Sequence, residues 1–248
     1  MTILKVKNLK KIYESKVMCK ALDNINFTID NGEFVGIMGP SGSGKTTLLN
    51  MISTVDKPTT GEISIRDKIL TNLKGDELAL FRRRELGFVF QDFNLIETLT
   101  VGENIVLPLT LDGVLIEEQD KRLKNVSKIL GIEDILEKRT FEISGGQAQR
   151  TAIARGLIHK PSLLLADEPT GNLDSKAAKN VMELFEKINK EEKVTTMMVT
   201  HDPLAASYCT RILFIKDGVI YNEIYRGSSR TQFYQEIIDV LSLLGACN

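Results

Sequence analysis

Apolar residues in the first third of the chain fall in short blocks cut by turn residues, a pattern that predicts strands. The blocks are Ile3–Val6, the stretch around Phe27, Phe34–Met38, and Glu62–Ile65 after the turn residues Pro58–Gly61. Helical spacing interrupts them at Gly44–Ser53 and Asp76–Glu85, and a buried strand is expected at Gly87–Phe90. The pattern then changes: Thr100–Leu109, Glu117–Leu130 and Gly145–His159 all read as helices, so the middle of the chain looks like a helical insertion. From Ser162 onward strand and helix alternate, through Leu163–Ala166, Ser175–Lys190, Thr195–Thr200, a short helix after Pro203, Ile212–Ile215 and Val219–Tyr225. Such alternation predicts a parallel sheet covered by helices, an α/β fold. With no repeat or low-complexity linker, one composite domain over 1–248 is the simplest division.

Composition narrows the setting more than the chemistry. The 42% hydrophobic and 26% charged residues suit a folded globular chain. No window approaches the ~20 apolar residues of a spanning helix, and the first residues lack a secretion signal. Any membrane role therefore calls for a partner. A net charge of -1, from 32 basic and 33 acidic residues, gives no field to gather nucleic acid. The run Arg82, Arg83, Arg84 reads as a solvated helix face. Cys19, Cys209 and Cys247 cannot all pair and are far apart, as expected of reduced thiols in the cytoplasm.

Two motifs carry the first chemistry. Phe34–Met38 runs into Gly39, Pro40, Ser41, Gly42, Ser43, Gly44, Lys45 and Thr46, followed by Thr47. This is a phosphate loop in its required setting, strand before and helix after. Glycines let backbone N–H groups turn inward, and the helix adds its positive end. Lys45 would reach the β and γ phosphates and the Thr46 hydroxyl would bind Mg²⁺. The apolar strand ending in Asp167 and Glu168 adds a metal ligand and a base to orient the attacking water. Together they define a P-loop NTPase.

Ile143 to Gln147, followed by Ala148, Gln149 and Arg150, narrows the class. It resembles the signature of the ATP-binding cassette (ABC) family, with isoleucine where leucine is usual. Ser144 and the amides of Gly145 and Gly146 make a second phosphate-binding helix start. The resemblance implies that two chains meet head-to-tail, each ATP lying between one phosphate loop and the other chain's Ser144, Gly145, Gly146 and Gln147. It implies a RecA-like core with an N-terminal antiparallel β subdomain (about 1–90 and 156–225), a helical subdomain (about 96–155) and a C-terminal tail helix (226–248). Tyr13 resembles the aromatic residue that stacks on adenine, though a lone tyrosine is as readily a packing residue. Gln91 resembles the glutamine that contacts Mg²⁺, Glu142 the acid ahead of the signature, Asp174 the end of the loop crossing the dimer interface, and His201 the switch histidine at the γ-phosphate. His159 reads as structural. Thr140 stands where close relatives often carry proline. With Glu168 and His201 both present, each site of a homodimer is expected to hydrolyse ATP.

The resemblance implies a separate membrane permease, with this chain at the cytoplasmic face of the membrane. Phe93, Leu95, Leu99 and Val101 either receive a helix of that permease or belong to the core of the insertion. The stretches 166–174 and 199–202 resemble the branch serving lipoprotein release, macrolide efflux and peptide-antibiotic defence. The tail from Arg226 resembles the bacitracin-type antimicrobial-peptide transporters, whose permease often works with a sensor histidine kinase. Phe233, Ile237, Leu241 and Leu244 form a stripe there that packs on the sheet or meets a partner. Lipoprotein-release and cell-division cassettes, and a cassette outside transport, are the competing readings.

Overall fold

In a computed structural model, residues 1–14 and 18–246 are described; Cys247 lies outside them. The chain opens with two long antiparallel strands, β1 (Thr2–Tyr13) and β2 (Cys19–Asp30), then β3 (Phe34–Met38) and α1 (Lys45–Ile52). Next come β4 (Thr60–Ile65), β5 (Lys68–Ile69), α2 (Gly75–Glu85) and β6 (Leu86–Val89). Helices α3 (Val101–Leu111), α4 (Ile116–Leu130) and α5 (Gly145–Leu157) form the insertion. The alternating part follows as β7 (Leu163–Asp167), α6 (Ser175–Glu192), β8 (Thr196–Val199), α7 (Pro203–Ala206), β9 (Arg211–Lys216), β10 (Val219–Tyr225) and α8 (Arg230–Ala246).

Two sheets result, one ordered β2-β1-β4-β5 and antiparallel, the other β10-β9-β3-β8-β7-β6. In the second, β9, β3, β8, β7 and β6 run parallel and β10 returns antiparallel at the edge. The α/β expectation is met. All five residues of β3 are buried, because it has a parallel neighbour on each side and is covered on both faces. One apolar cluster, with Val35, Ile37, Leu48, Leu165 and Met197, fills the space between the sheets and α1. A second, with Phe34, Val101, Ile105, Ile153 and Phe185, lies between the opposite face and the helices.

Two expectations change and two open alternatives are decided. The first two strands extend well past Ile3–Val6 and the Phe27 region, because their long mutual pairing carries polar positions that lack apolar periodicity. The arginine run is more than a solvated face. Arg82 donates to the Thr54 carbonyl at 2.9 Å, Arg83 to the Leu111 carbonyl at 2.8 Å, and Arg84 to Asp112 at 3.0 Å, joining α2 to both the core and the end of α3. Val101 is fully buried in the insertion, which removes it from any docking surface. The tail stripe packs inward: Phe233, Ile237 and Leu244 are buried in the second cluster and Leu241 lies against it.

Candidate active site

The phosphate loop is built where only glycine fits. At Gly39 (φ +154°) an added Cβ would lie 2.0 Å from the Ile215 carbonyl oxygen, and at Gly44 (φ +104°) 2.5 Å from that of Ala21. Gly44 starts α1 without any side-chain cap, and the first turn of α1 holds no acid, so its positive end has no internal counter-charge. Lys45 folds over the loop, its Nζ donating to the Gly39 and Pro40 carbonyls at 2.8 and 2.9 Å. Burial lowers its pKa, while the charges of Glu168 and Asp167 act in the opposite sense. Ser43 Oγ is buried without a partner. An uncapped helix start, a cation facing two carboxylates and an orphaned hydroxyl are the features expected of a cradle shaped for a polyphosphate and its divalent cation.

The acids arrive from the neighbouring strands. Asp167 ends β7; burial first, then the adjacent Glu168 charge, raise its pKa, and Lys45 counters them. Glu168 adopts a left-handed backbone (φ +47°), a costly conformation for a glutamate that is held by its N–H donating to the Val199 carbonyl at 2.9 Å. That turn brings its carboxylate to His201, Nδ1 to Oε2 2.6 Å. His201 follows β8 and is 74% exposed, whereas Glu168 is 19% exposed. The capping aspartate of α7, Asp202, fixes the backbone after it by accepting from Leu204 N at 2.8 Å. Lys45, Asp167, Glu168 and His201 therefore gather at the C-terminal ends of β3, β7 and β8, the place where such sheets bind ligands.

Gln91 meets the loop after Glu168. Its Nε2 donates to Asn172 Oδ1 at 3.2 Å, and Asn172 Nδ2 donates to Asp92 Oδ1 at 2.7 Å. A Cβ at Gly171 would lie 3.0 Å from Gln91 Cδ, so glycine permits the approach. Three positioning groups escape motif reading. Gln149, fully buried on α5, donates to the Pro169 carbonyl at 2.7 Å; Arg155 donates to the Phe93 and Asn94 carbonyls at 2.8 and 2.5 Å; and Asn172 bridges as described. The signal for Gln149 and Arg155 is weak but present, a polar side chain on the apolar face of a helix.

Tyr13 ends β1 and is 39% exposed, with its hydroxyl donating to Asp56 at 3.0 Å and Lys11 Nζ 4.7 Å from its ring centroid. Burial and the Asp56 bond raise its pKa, and Thr47 reaches the same hydroxyl, which places the ring beside the first turns of α1. His159 is structural: its Nε2 lies 3.0 Å from the Leu86 carbonyl, and burial lowers its pKa.

The second helix start is separate. Ser144 Oγ accepts from Gln147 N at 3.3 Å while Gln147 Oε1 accepts from Ser144 N at 2.9 Å, a reciprocal cap on α5. Ser144, Gly145, Gly146, Gln147 and Asp174 line a cavity of about 460 Å³. Asp174 itself caps α6, accepting from Lys176 N and Ala177 N at 2.9 and 3.0 Å. Glu142 caps the short turn ahead of the signature through Arg139 N at 2.6 Å. Among the described residues no hydrogen bond or ion pair joins Ser144–Gln147 to the phosphate loop.

The fold, the glycine-built loop before α1 and the separate capped start of α5 define an α/β P-loop ATPase of the cassette type. Residues 22–171 match the sequence model of the ABC transporter family, and the chain belongs to that family as an ATP-hydrolysing subunit. It is 59% identical to the ABC transporter ATP-binding protein YxdL of Bacillus subtilis (strain 168), over 98% of this chain and 95% of that one. It is 48% identical to the bacitracin export ATP-binding protein BceA of Halalkalibacterium halodurans, over 99% and 98%. Among solved structures, the dimeric post-hydrolysis state of the cassette MJ0796 bound to ADP and Pi, a protein of Methanocaldococcus jannaschii, matches with a TM-score of 0.81 and 44% identity. That match covers 91% of this chain and all of the other. No helix among the described residues is long and apolar enough to cross a membrane.

Proposed function

We propose that this chain drives a separate membrane permease that removes antimicrobial peptides of the bacitracin type, working as a head-to-tail homodimer around two ATP and their Mg²⁺. The observation that carries the reading is the 48% identity, over nearly the whole of both chains, with a bacitracin export ATP-binding protein. The two helix starts support the dimer, since the second is complete yet separate from the first within one chain. The solved cassette dimer that it resembles supports the same arrangement.

In this reading the loop Gly39–Thr46 cradles the phosphates, with Lys45 swinging from the Gly39 and Pro40 carbonyls to meet them. Mg²⁺ supplies charge neutralisation and is held by Thr46, Gln91 and Asp167, a hard oxygen set suited to it. Glu168 takes the proton of the attacking water and His201 senses the γ-phosphate, so the 2.6 Å contact between them is a resting arrangement that nucleotide reorganises. Tyr13 stacks on the base, with Thr47 beside it. Ser144, Gly145, Gly146 and Gln147 of each chain, with Asp174, complete the partner's site. The helical segment 96–155 moves against the core (1–90 and 156–225) as sites fill and empty. The permease docks near Phe93, Leu95 and Leu99, next to Gln91, and holds the chain at the cytoplasmic face of the membrane. A sensor histidine kinase joins through the permease.

The reading is tested by isolating the tagged chain from native membranes and by deleting its gene. Co-purification of a permease together with heightened bacitracin sensitivity is the expected outcome. A deletion strain with unchanged sensitivity to bacitracin and related peptides would overturn the substrate assignment.

A further inference from the structure

We infer that the cleft between α4 and the N-terminal ends of β7 and β8 binds a phosphoester carrying at least two negative charges, at a site separate from the nucleotide site. The cleft measures about 900 Å³. Its two walls belong to different parts of the fold. Lys121, Lys124 and Lys128 present one face of α4, and Lys160 and Lys193 face them from the ends of α5 and α6. Among the described residues, none of these five ammonium groups has a carboxylate partner within 4.0 Å. Of the two acids lining the cleft, Glu118 is already held by Arg122 at 2.7 Å, and Glu192, next to Lys193 in sequence, is a single carboxylate set against five lysines. In a chain of net charge -1, five lysines without an ion pair lining one concavity is a local arrangement and does not follow from composition. Lys160 and Lys193 spend part of their charge on the negative ends of α5 and α6, as Lys128 does in the last turn of α4, but Lys121 and Lys124 have no such partner.

The rim is cationic and the floor is not: Ile129, Leu157 and Val194 are partly buried against the apolar cluster beneath. Phosphates on the lysines and a carbon skeleton on the floor satisfy both surfaces. The volume falls in the range of small-ligand sites, about 300–1,000 Å³. The nucleotide machinery is remote. Ser162 and Thr195 border the cleft before β7 and β8, while Asp167 ends β7 at the opposite side and Glu168 and His201 follow the strands there. A five-residue strand spans about 16 Å. The same phosphoester chemistry is offered by a soluble metabolite and by a lipid headgroup.

The purified full-length chain, its nucleotide sites kept filled with excess ADP, is titrated with inorganic tripolyphosphate and with phosphatidylcholine vesicles with and without phosphatidic acid. Lysine acetylation is read by mass spectrometry in parallel. We expect binding to at least one anionic probe, protection of Lys124 and Lys128, and at least a tenfold weaker dissociation constant in the Lys124→Glu, Lys128→Glu double variant. Tripolyphosphate binding identifies a soluble ligand, and binding to phosphatidic acid vesicles alone identifies a headgroup. Lys193→Glu, on the opposite wall, decides the matter if the double variant does not fold. Absence of binding to both probes, or binding unaltered by these substitutions, overturns the site.

Discussion

The two helix starts to which the proposed function assigns phosphate, those of α1 and α5, are built in opposite ways. The start of α1 has no side-chain cap, and glycines with positive φ force its loop against the carbonyls of Ile215 and Ala21. The start of α5 is closed by the side chains of Ser144 and Gln147, and its glycines have ordinary φ values and room around them. The first leaves its N–H groups unspent and is bound into the fold, so it forms a site that needs only ligand. The second is a self-sufficient helix end on the surface, and it acquires a function only against another molecule. Substitutions should therefore act through folding at the first start and through pairing at the second.

The largest effect is expected where the two starts share a dependent. Glu168→Gln keeps both helix ends but removes the proton acceptor, so hydrolysis should fall by about 10²–10⁴ while ATP binding persists and the paired state accumulates. Steady-state ATPase assays and gel filtration with ATP measure this, and normal turnover would remove Glu168 from its role. Next come matched glycine substitutions. Gly39→Ala drives a Cβ to 2.0 Å from backbone, and overpacking of that kind costs about 3 kcal/mol, read in chemical denaturation. Gly146→Ala meets only Ala177 Cβ at 3.4 Å, so stability should change by less than about 0.5 kcal/mol while hydrolysis by the pair falls. Equal loss of stability in both variants would erase the contrast. In stability Ser144→Ala falls between the two glycine variants, since it removes the cap at a cost of about 1 kcal/mol, or roughly 3 °C in thermal midpoint for a chain of this size.

The same contrast explains what could be read from sequence. The loop from Gly39 to Thr46 and the strand ending at Asp167 and Glu168 declare themselves because their chemistry requires fixed residue types at fixed spacing. β3 and β10 come out with the boundaries that apolar alternation gives, Phe34–Met38 and Val219–Tyr225. The long pairing of β1 with β2 was not legible, since half of its positions are polar and only the partner strand explains them. Arg155 was missed, and Gln149 and Asn172 were read only as members of motifs, for a related reason. Each acts on backbone carbonyls or a side chain distant in sequence, and no local motif encodes such a partner. The arginines of α2 looked like a solvated face because their acceptors, Thr54 after α1 and Leu111 and Asp112 at the end of α3, each lie 28 residues away.

The smallest predicted effect separates the two starts by pH. His159 follows α5 and joins it to β6 through the Leu86 carbonyl, whereas α1 has no histidine attached to it. Burial holds the folded-state pKa of His159 below its ordinary value of about 6.5. As the pH falls, the unfolded chain thus takes up the proton before the folded chain does, and stability declines from about pH 6.5 down to the folded-state value, being fully present above. The thermal midpoint should drop between pH 7 and pH 5.5, and amide exchange should quicken along α5 before α1. His159→Gln, whose amide keeps a donor for the Leu86 carbonyl without the titration, should flatten that decline. Were the variant to lose stability in acid as steeply as the wild type, the decline would belong to other groups and α5 would not be the acid-sensitive helix.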